Sequence, residues 1–290
     1  MSTQRVTTAD LRQMKAEGRK IVMLTAYDAP MAHFVEAAGV PAILVGDSLG
    51  NTVLGYENTL PVTVDDILRH TQAVVRGTRR AIVIADMPFL SYQVSNERAL
   101  LNAGQLIQEG GAQGVKLEGG KQTVTVTAHL VDAGIPVMGH LGLTPQSVHQ
   151  LGGYRAQGRT LAEAEELQSD ALALERAGAF ALVLESIPAT LAQKITESIS
   201  IPTIGIGAGV HCDGQIQVLH DLLGLNPHAV HPRHAKAYAK LGDEMRAAVS
   251  RYVQDVESGT FPTREHSFML PTEVARALRK ETLVTASDED

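Results

Sequence analysis

The sequence has a single cysteine, no tryptophan and few aromatic residues. One thiol, that of Cys212, excludes an internal disulfide framework and a cysteine-rich zinc site. Aromatic residues make up 4% of the chain and the net charge is −7, so no nucleic-acid partner is expected. No apolar run reaches the roughly 18 residues of a membrane span. The N-terminal stretch lacks the apolar core of a signal peptide, so we expect a cytoplasmic location.

Short apolar runs rich in β-branched residues alternate with longer amphipathic segments. Eight runs occur, over residues 21–25, 42–45, 81–84, 114–117, 135–138, 180–184, 202–206 and 216–219. Near-continuous apolar strands are typical of a parallel sheet that is buried on both faces. Their alternation with helices over roughly 250 residues predicts an α/β fold, a (β/α)8 TIM barrel, with a doubly wound sheet as the alternative. The eighth strand is the weakest prediction, because only a short link separates it from the seventh.

Helices and boundaries can be predicted from local signals. Residues 8–20 predict a helix before the first strand, and Thr63 followed by Asp65 and Asp66 is typical of a capped helix start. We predict one barrel domain over residues 1–268. Residues 269–290 have little apolar periodicity and are expected to form a poorly ordered tail.

Polar residues follow the apolar runs at the point where each run ends. Asp47, Asp86 and Glu118 follow the second, third and fourth runs, His140 the fifth and Glu185 the sixth. Strand ends meet at one face of a barrel, where enzymes of this fold place their active sites. Helix capping explains one or two such residues but not this whole set. The pattern therefore indicates an active site.

Asp47, Asp86 and Glu118 are predicted to be neighbours, since they end successive strands. Three carboxylates so close together repel one another unless a cation lies among them. A ligand set made only of oxygen atoms suits Mg2+ or Mn2+ better than zinc. We therefore predict a metal site formed by these three residues.

Lys116 and Glu185 are predicted to act on an anionic substrate. Lys116 lies two residues before Glu118, so both side chains point to the same side of the strand. A lysine inside a barrel is costly unless it meets an anion, such as a carboxylate or enolate. Glu185 lies across the barrel and can act as a base toward a substrate held at the metal.

Longer motifs give the sequence a family resemblance. The matching stretches are Thr25–Asp28, Val45–Gly50, Thr59–Thr63, Ala85–Phe89, Val115–Gly120, Gly139–Ser147, Gly152–Tyr154 and Ile204–Gly209. In these the chain resembles the 3-methyl-2-oxobutanoate hydroxymethyltransferase (ketopantoate hydroxymethyltransferase) family, from the N-terminal helix to about Phe268.

The resemblance implies a barrel of the phosphoenolpyruvate/pyruvate type and a specific reaction. A one-carbon unit passes from the co-substrate 5,10-methylenetetrahydrofolate to 3-methyl-2-oxobutanoate, which gives 2-dehydropantoate and tetrahydrofolate on the way to pantothenate and coenzyme A. One Mg2+ per subunit and a homo-oligomer, a decamer of two pentamers, are implied as well. The implied roles are metal binding by Asp47, Asp86 and Glu118, keto-acid binding by Asp47, Asp86, Ser48 and Lys116, proton acceptance by Glu185, and pocket lining by Tyr27 and His140.

Two alternatives remain open at this point. A carbon–carbon lyase of the isocitrate lyase or phosphonopyruvate type would share the barrel and the metal carboxylates, but such enzymes typically carry a Lys-Lys-Cys-Gly-His loop that this sequence lacks. A non-catalytic keto-acid-binding barrel would need no base at Glu185.

Overall fold

A computed structural model describes residues 4–226 and 232–285. Eight parallel strands close into a barrel in the order β1 to β8, so the predicted barrel and its weakly supported eighth strand are confirmed. The strands are β1 Ile21–Thr25, β2 Ala42–Val45, β3 Ile82–Asp86, β4 Gly114–Glu118, β5 Val137–Gly142, β6 Ala181–Glu185, β7 Thr203–Ile206 and β8 Gly214–Gln217.

Helices separate the strands along the chain, except between β7 and β8, where a short loop takes their place. The helices are α1 Thr8–Ala16, α2 Ala29–Ala37, α3 Leu49–Thr52, α4 Val64–Gly77, α5 Asn96–Gln108, α6 Val124–Asp132, α7 Val148–Leu151, α8 Leu161–Arg176, α9 Ala189–Ser198, α10 Leu219–Leu223, α11 Leu241–Glu257 and α12 Thr272–Thr285. Single 3-10 turns lie over Lys121–Thr123, Pro145–Ser147 and Arg264–His266.

Local signals start and stop the predicted helices. Thr63 caps α4 by accepting from the Asp66 amide, while the Asp66 carboxylate accepts from the Thr63 amide at 2.9 Å, which confirms the predicted helix start. The helix before β1 is also confirmed, and it ends at Ala16, ahead of Gly18 with its left-handed φ of 67°.

Side chains that point into the barrel form one apolar cluster with α1. Leu11 and Met14 of α1 pack with Ile21 and Met23 of β1 and with inward residues of the other strands. The Nζ of Lys15 in α1 donates hydrogen bonds to three main-chain carbonyls, at 3.0 to 3.1 Å, and these bonds hold α1 against the barrel. The side chains of α1 therefore fill space at the amino-terminal end of the barrel.

The chain divides into two compact units, Met1–Ala239 and Lys240–Asp290. The first contains the barrel and the second contains α11 and α12. The boundary predicted at residue 268 stays a prediction; α12 lies within the predicted tail, and residues 286–290 lie outside the described residues. Among the described residues, no helix has the length and apolar character needed to cross a membrane.

Candidate active site

Three carboxylates converge at the carboxyl end of neighbouring strands. Asp47 follows β2, Asp86 ends β3 and Glu118 ends β4. All three are buried, and each offers an oxygen within 4.8 Å of the others. Strand alternation explains the convergence, since Ile82, Ile84 and Asp86 share the inward face of β3. The predicted neighbourhood of these residues is therefore present.

Lys116 lies among these carboxylates. Its Nζ is 2.7 Å from Asp86 Oδ1 and 3.4 Å from Glu118 Oε1. The β3–β4 register accounts for the closer contact because it sets Asp86 beside Lys116. Burial lowers the pKa of Lys116, but the surrounding carboxylates outweigh burial and raise it. The lysine is therefore a fixed positive charge, and it faces the inside of the barrel as predicted.

One ammonium does not balance three carboxylates, and the acids respond unequally. Burial and the charges of Asp86 and Glu118 raise the pKa of Asp47 well above its usual range. Burial also opposes ionisation of Glu118, but Lys116 and His140 outweigh it and lower the pKa of that residue. With all three carboxylates ionised, the cluster would carry more negative charge than Lys116 neutralises, and a divalent cation would balance it. The donor set, made only of buried carboxylate oxygens, fits a hard metal ion.

His140 lies between the acidic cluster and Glu185. Its Nδ1 lies 3.3 Å from Glu118 Oε1 and its Nε2 lies 3.3 Å from Glu185 Oε2. Burial and Lys116 lower the pKa of His140, but the two glutamates outweigh them and raise it to about 9. The Glu185 side chain is 14% exposed, whereas that of Glu118 is 2% exposed. Of the two, Glu185 is the more exposed to the cavity.

Ser48 and Tyr27 form a separate pair at the edge of the cluster. The Tyr27 hydroxyl lies 2.7 Å from Ser48 Oγ. Burial raises the pKa of Tyr27 to about 12, so the phenol stays protonated and can donate. Ser48 lines the cavity, whereas Tyr27 contacts Ser48 and is not itself among the lining residues. Contact of Tyr27 with a substrate stays a prediction.

A cavity of about 1060 Å³ lies at the carboxyl end of the barrel. The predicted residues Asp47, Ser48, Asp86, Lys116, Glu118, His140 and Glu185 all line it. Tyr154 and Arg159, from the segment over residues 152–159, form part of its wall. Its volume is at the upper end of the roughly 300–1,000 Å³ that pockets for drug-sized ligands span, so the cavity can hold more than one small acid.

Two residues of the site were missed by sequence reasoning. Gln146 donates from Nε2 to Asp47 Oδ2 at 3.0 Å, and Tyr92 lies 2.9 Å from Gln146 Oε1. Neither residue ends a strand or carries a charge, so neither matched the pattern that indicated the others. Gln146 does fall within the matching stretch Gly139–Ser147, which was the one available signal.

The fold of this chain is shared with solved barrel structures. The chain is similar in structure to 2,3-dimethylmalate lyase, described as a PEP mutase/isocitrate lyase superfamily member, with a TM-score of 0.58 and 18% identity over 98% of this chain and 99% of that one. It is similarly close to phosphoenolpyruvate phosphomutase from Streptomyces platensis subsp. rosaceus, with a TM-score of 0.60 and 13% identity over 98% and 99%. At such identities the likeness shows the fold alone, and it confirms the predicted (β/α)8 barrel.

Sequence comparison gives the family. The model of the ketopantoate hydroxymethyltransferase family matches residues 5–264. The 3-methyl-2-oxobutanoate hydroxymethyltransferase of Carboxydothermus hydrogenoformans is 57% identical over 93% of this chain and 98% of that protein. The enzyme of the same name from Chloroflexus aurantiacus is 56% identical over 97% and 99%. The chain therefore belongs to the ketopantoate hydroxymethyltransferase family, and the predicted family and activity are confirmed.

Proposed function

We propose that the cavity is where this chain transfers a hydroxymethyl group from 5,10-methylenetetrahydrofolate to 3-methyl-2-oxobutanoate. The products are 2-dehydropantoate and tetrahydrofolate, and a water molecule supplies the product's hydroxyl oxygen. The observation that carries the assignment is one rim that holds three buried carboxylates, one buried ammonium and a more accessible glutamate. Family membership supplies the reaction, and these residues supply groups that suit its steps.

Asp47, Asp86 and Glu118 would hold one divalent cation, and we propose that it is Mg2+. Oxygen ligands favour a hard cation, and a cation among the three carboxylates would offset their mutual repulsion when all are ionised. The chemistry that a bound cation supplies here is polarisation of the keto acid's carbonyl and carboxylate oxygens.

Glu185 is the proposed base. It removes the proton from C3 of the keto acid, and the electron pair of the broken C–H bond moves into the enolate. His140 fixes the position of this base, because its Nε2 lies 3.3 Å from Glu185 Oε2 while Glu118 holds the other ring nitrogen. Water adds to the methylene carbon of the folate and both of its C–N bonds break, which gives a one-carbon unit at the oxidation level of formaldehyde and tetrahydrofolate with a proton on each freed nitrogen. The enolate carbon then attacks this carbon, and its oxygen takes up the proton that Glu185 removed and becomes the product's hydroxyl. The remaining cavity volume is large enough to admit that second substrate.

The direct test is an assay with the purified protein, Mg2+, 3-methyl-2-oxobutanoate and 5,10-methylenetetrahydrofolate. We expect 2-dehydropantoate to form at a rate that depends on both substrates, since each contributes carbon to the product. Mass spectrometry of the product is the readout. Cleavage of a carbon–carbon bond in the keto acid would support the lyase alternative, and binding without turnover would support a non-catalytic barrel.

Lys116→Ala should raise the KM for the keto acid by roughly 10- to 100-fold, because a hydrogen bond to a charged group contributes about 1.5–3 kcal/mol. Steady-state kinetics at saturating folate and Mg2+ measure this effect. Thermal unfolding must be followed alongside, since removal of one partner from a buried ion pair costs about 3–5 kcal/mol of stability.

The control for this variant is Lys194→Ala, which removes an exposed lysine from α9 on the outside of the barrel. Lys116→Arg keeps the charge and should be closer to wild type in stability than Lys116→Ala. A folded Lys116→Ala enzyme with the wild-type KM would contradict anion binding by this lysine.

Residues 152–159 should become protected from hydrogen exchange when both substrates bind. Gly152, Gly153 and Gly158 adopt positive φ angles, Tyr154 is 57% exposed, and the segment forms part of the cavity wall. A ligand in the cavity would pack against this wall and restrict its opening. Exchange mass spectrometry with and without substrates is the measurement, with α8 as the internal reference. Equal exchange in both states would make the segment an ordinary surface loop.

Assembly and location remain predictions. A decamer of two pentamers is what the family resemblance implies, and sedimentation equilibrium of the purified chain would measure its mass. A cytoplasmic location is compatible with a biosynthetic reaction but needs its own measurement.

A further inference from the structure

Gln146 is tied to two of the three acidic residues at once. It lies in the 3-10 turn Pro145–Ser147 that follows β5, and only 4% of the residue is exposed. Its side-chain Nε2 donates to Asp47 Oδ2 at 3.0 Å and to the Met87 carbonyl at 3.0 Å. Its main-chain amide donates to Glu118 Oε2 at 3.0 Å. One residue therefore contacts carboxylates that arise from two different strands.

The surroundings permit one orientation of the Gln146 amide. Nε2 faces two oxygen atoms that can only accept, the Asp47 carboxylate and the Met87 carbonyl. Oε1 faces the Tyr92 hydroxyl at 2.9 Å, and a hydroxyl can donate. A flipped amide would place an acceptor against two acceptors. The orientation of the amide is therefore determined by its partners.

Tyr92 links this turn to the strand that carries Glu118. Its hydroxyl accepts from the Glu118 amide at 3.2 Å and lies 2.9 Å from both the Glu118 carbonyl and Gln146 Oε1. Tyr92 is itself 3% exposed, so no bulk water competes for these contacts. The Glu118 main chain and the Gln146 side chain are thus held relative to each other.

We propose that Gln146, oriented by Tyr92, is a positioning residue that sets the Asp47 and Glu118 carboxylates in their cation-binding arrangement. This inference rests on the proposed metal centre. Gln146 engages one oxygen of each carboxylate, Asp47 Oδ2 and Glu118 Oε2, and contacts neither of their other oxygens. An amide is suited to this task because it donates hydrogen bonds without adding positive charge. A lysine at the same place would cancel the excess negative charge that attracts the cation.

The test is the affinity of the purified protein for Mn2+, measured without substrates by electron paramagnetic resonance of the free ion. Gln146→Met keeps similar length and bulk but removes the side-chain donor and acceptor. We expect the Kd for Mn2+ to rise by roughly 10- to 100-fold, the range typical for loss of a group that orients a metal ligand. Tyr92→Phe keeps the ring and should raise the Kd in the same direction, by roughly tenfold, the low end of that range.

The matched control is Gln193→Met. Gln193 also donates from Nε2 to a carboxylate, Glu197 Oε1 at 2.9 Å, but it does so on the outer helix α9. A general effect of losing an amide–carboxylate hydrogen bond would appear in this variant, whereas a positioning effect would not. Far-UV circular dichroism and thermal unfolding establish that each variant is folded.

Each outcome decides a separate point. Absence of Mn2+ binding by the wild-type protein would reject the metal centre itself. Binding by wild type with an unchanged Kd in folded Gln146→Met would reject the positioning inference and leave the metal centre standing. If Gln146→Met does not fold, the Kd of Tyr92→Phe decides, and a wild-type value there would overturn the proposal.

Discussion

Replacing Glu185 by glutamine should lower kcat by roughly 10²- to 10⁴-fold, the range typical for loss of a general base. The amide keeps the volume of the side chain and can still hydrogen-bond to His140, but it cannot accept a proton. Keto-acid KM should change little, because the proposed anion-binding groups, Lys116 and Ser48, are untouched. The expected pattern is therefore a loss in kcat with KM preserved.

The partial reaction isolates the affected step. Exchange of the C3 proton of 3-methyl-2-oxobutanoate for deuterium, followed by NMR in the absence of folate, reports proton removal alone. Glu197→Gln is the matched control, since it makes the same change on the outer helix α9 and should leave exchange unaffected. If the Glu185→Gln enzyme exchanges this proton at the wild-type rate, the base lies elsewhere. His140 would then be the first candidate, because it is 3.3 Å from Glu185 and lines the same cavity.

Removal of divalent cations should lower turnover by roughly 10³-fold or more, since metal polarisation of a carbonyl contributes several kcal/mol and each 1.36 kcal/mol is tenfold in rate. The state of the acidic cluster gives the structural reason. Without a cation, burial raises the pKa of both Asp47 and Asp86; the charges of Asp86 and Glu118 add to this at Asp47, whereas Lys116 opposes it at Asp86. A proton therefore competes for the oxygens that would bind metal.

Treatment with EDTA followed by dialysis gives the metal-free enzyme for this measurement. Added Mg2+ should restore activity, and Mn2+ should restore at least part of it because it also prefers oxygen ligands. Because Mg2+ should bind the folded state and not the unfolded state, the unfolding temperature should also rise as Mg2+ is added. Full activity of the chelated enzyme, with no residual metal by elemental analysis, would contradict the metal assignment.

Much of the fold could be predicted because it follows from local pattern. Apolar runs of strand length and a capped helix start at Thr63 are properties of short sequence windows. The same holds for the convergence of Asp47, Asp86 and Glu118, since strands two to four are neighbours in a barrel of this topology. The shared side of Lys116 and Glu118 follows from strand alternation. None of these inferences depends on knowing the distances between side chains on different strands.

Contacts between elements could not be predicted in the same way. The sequence predicts a substrate anion as the partner of Lys116. In the structure its ammonium lies 2.7 Å from Asp86, because the β3–β4 register sets the two residues side by side. The sequence predicts Tyr27 as a residue that lines the pocket. In the structure its hydroxyl contacts Ser48, and it is Ser48 that lines the cavity. Register and barrel closure depend on packing of the whole sheet, which no short window contains.

By itself, the sequence determined which chemical groups this protein brings to one end of a barrel: three carboxylates, a lysine, a histidine and a glutamate, each within a strand near its carboxyl end or just after it. Their spacing along the chain is enough for this, because parallel strands all end on the same face. The tertiary structure alone decided how these groups pair. The bridge of His140 between Glu118 and Glu185, and the contacts of Gln146 with Asp47 and Glu118, join residues up to 99 positions apart. Such contacts exist only once the barrel has closed, since burial and register then bring the side chains within hydrogen-bond distance.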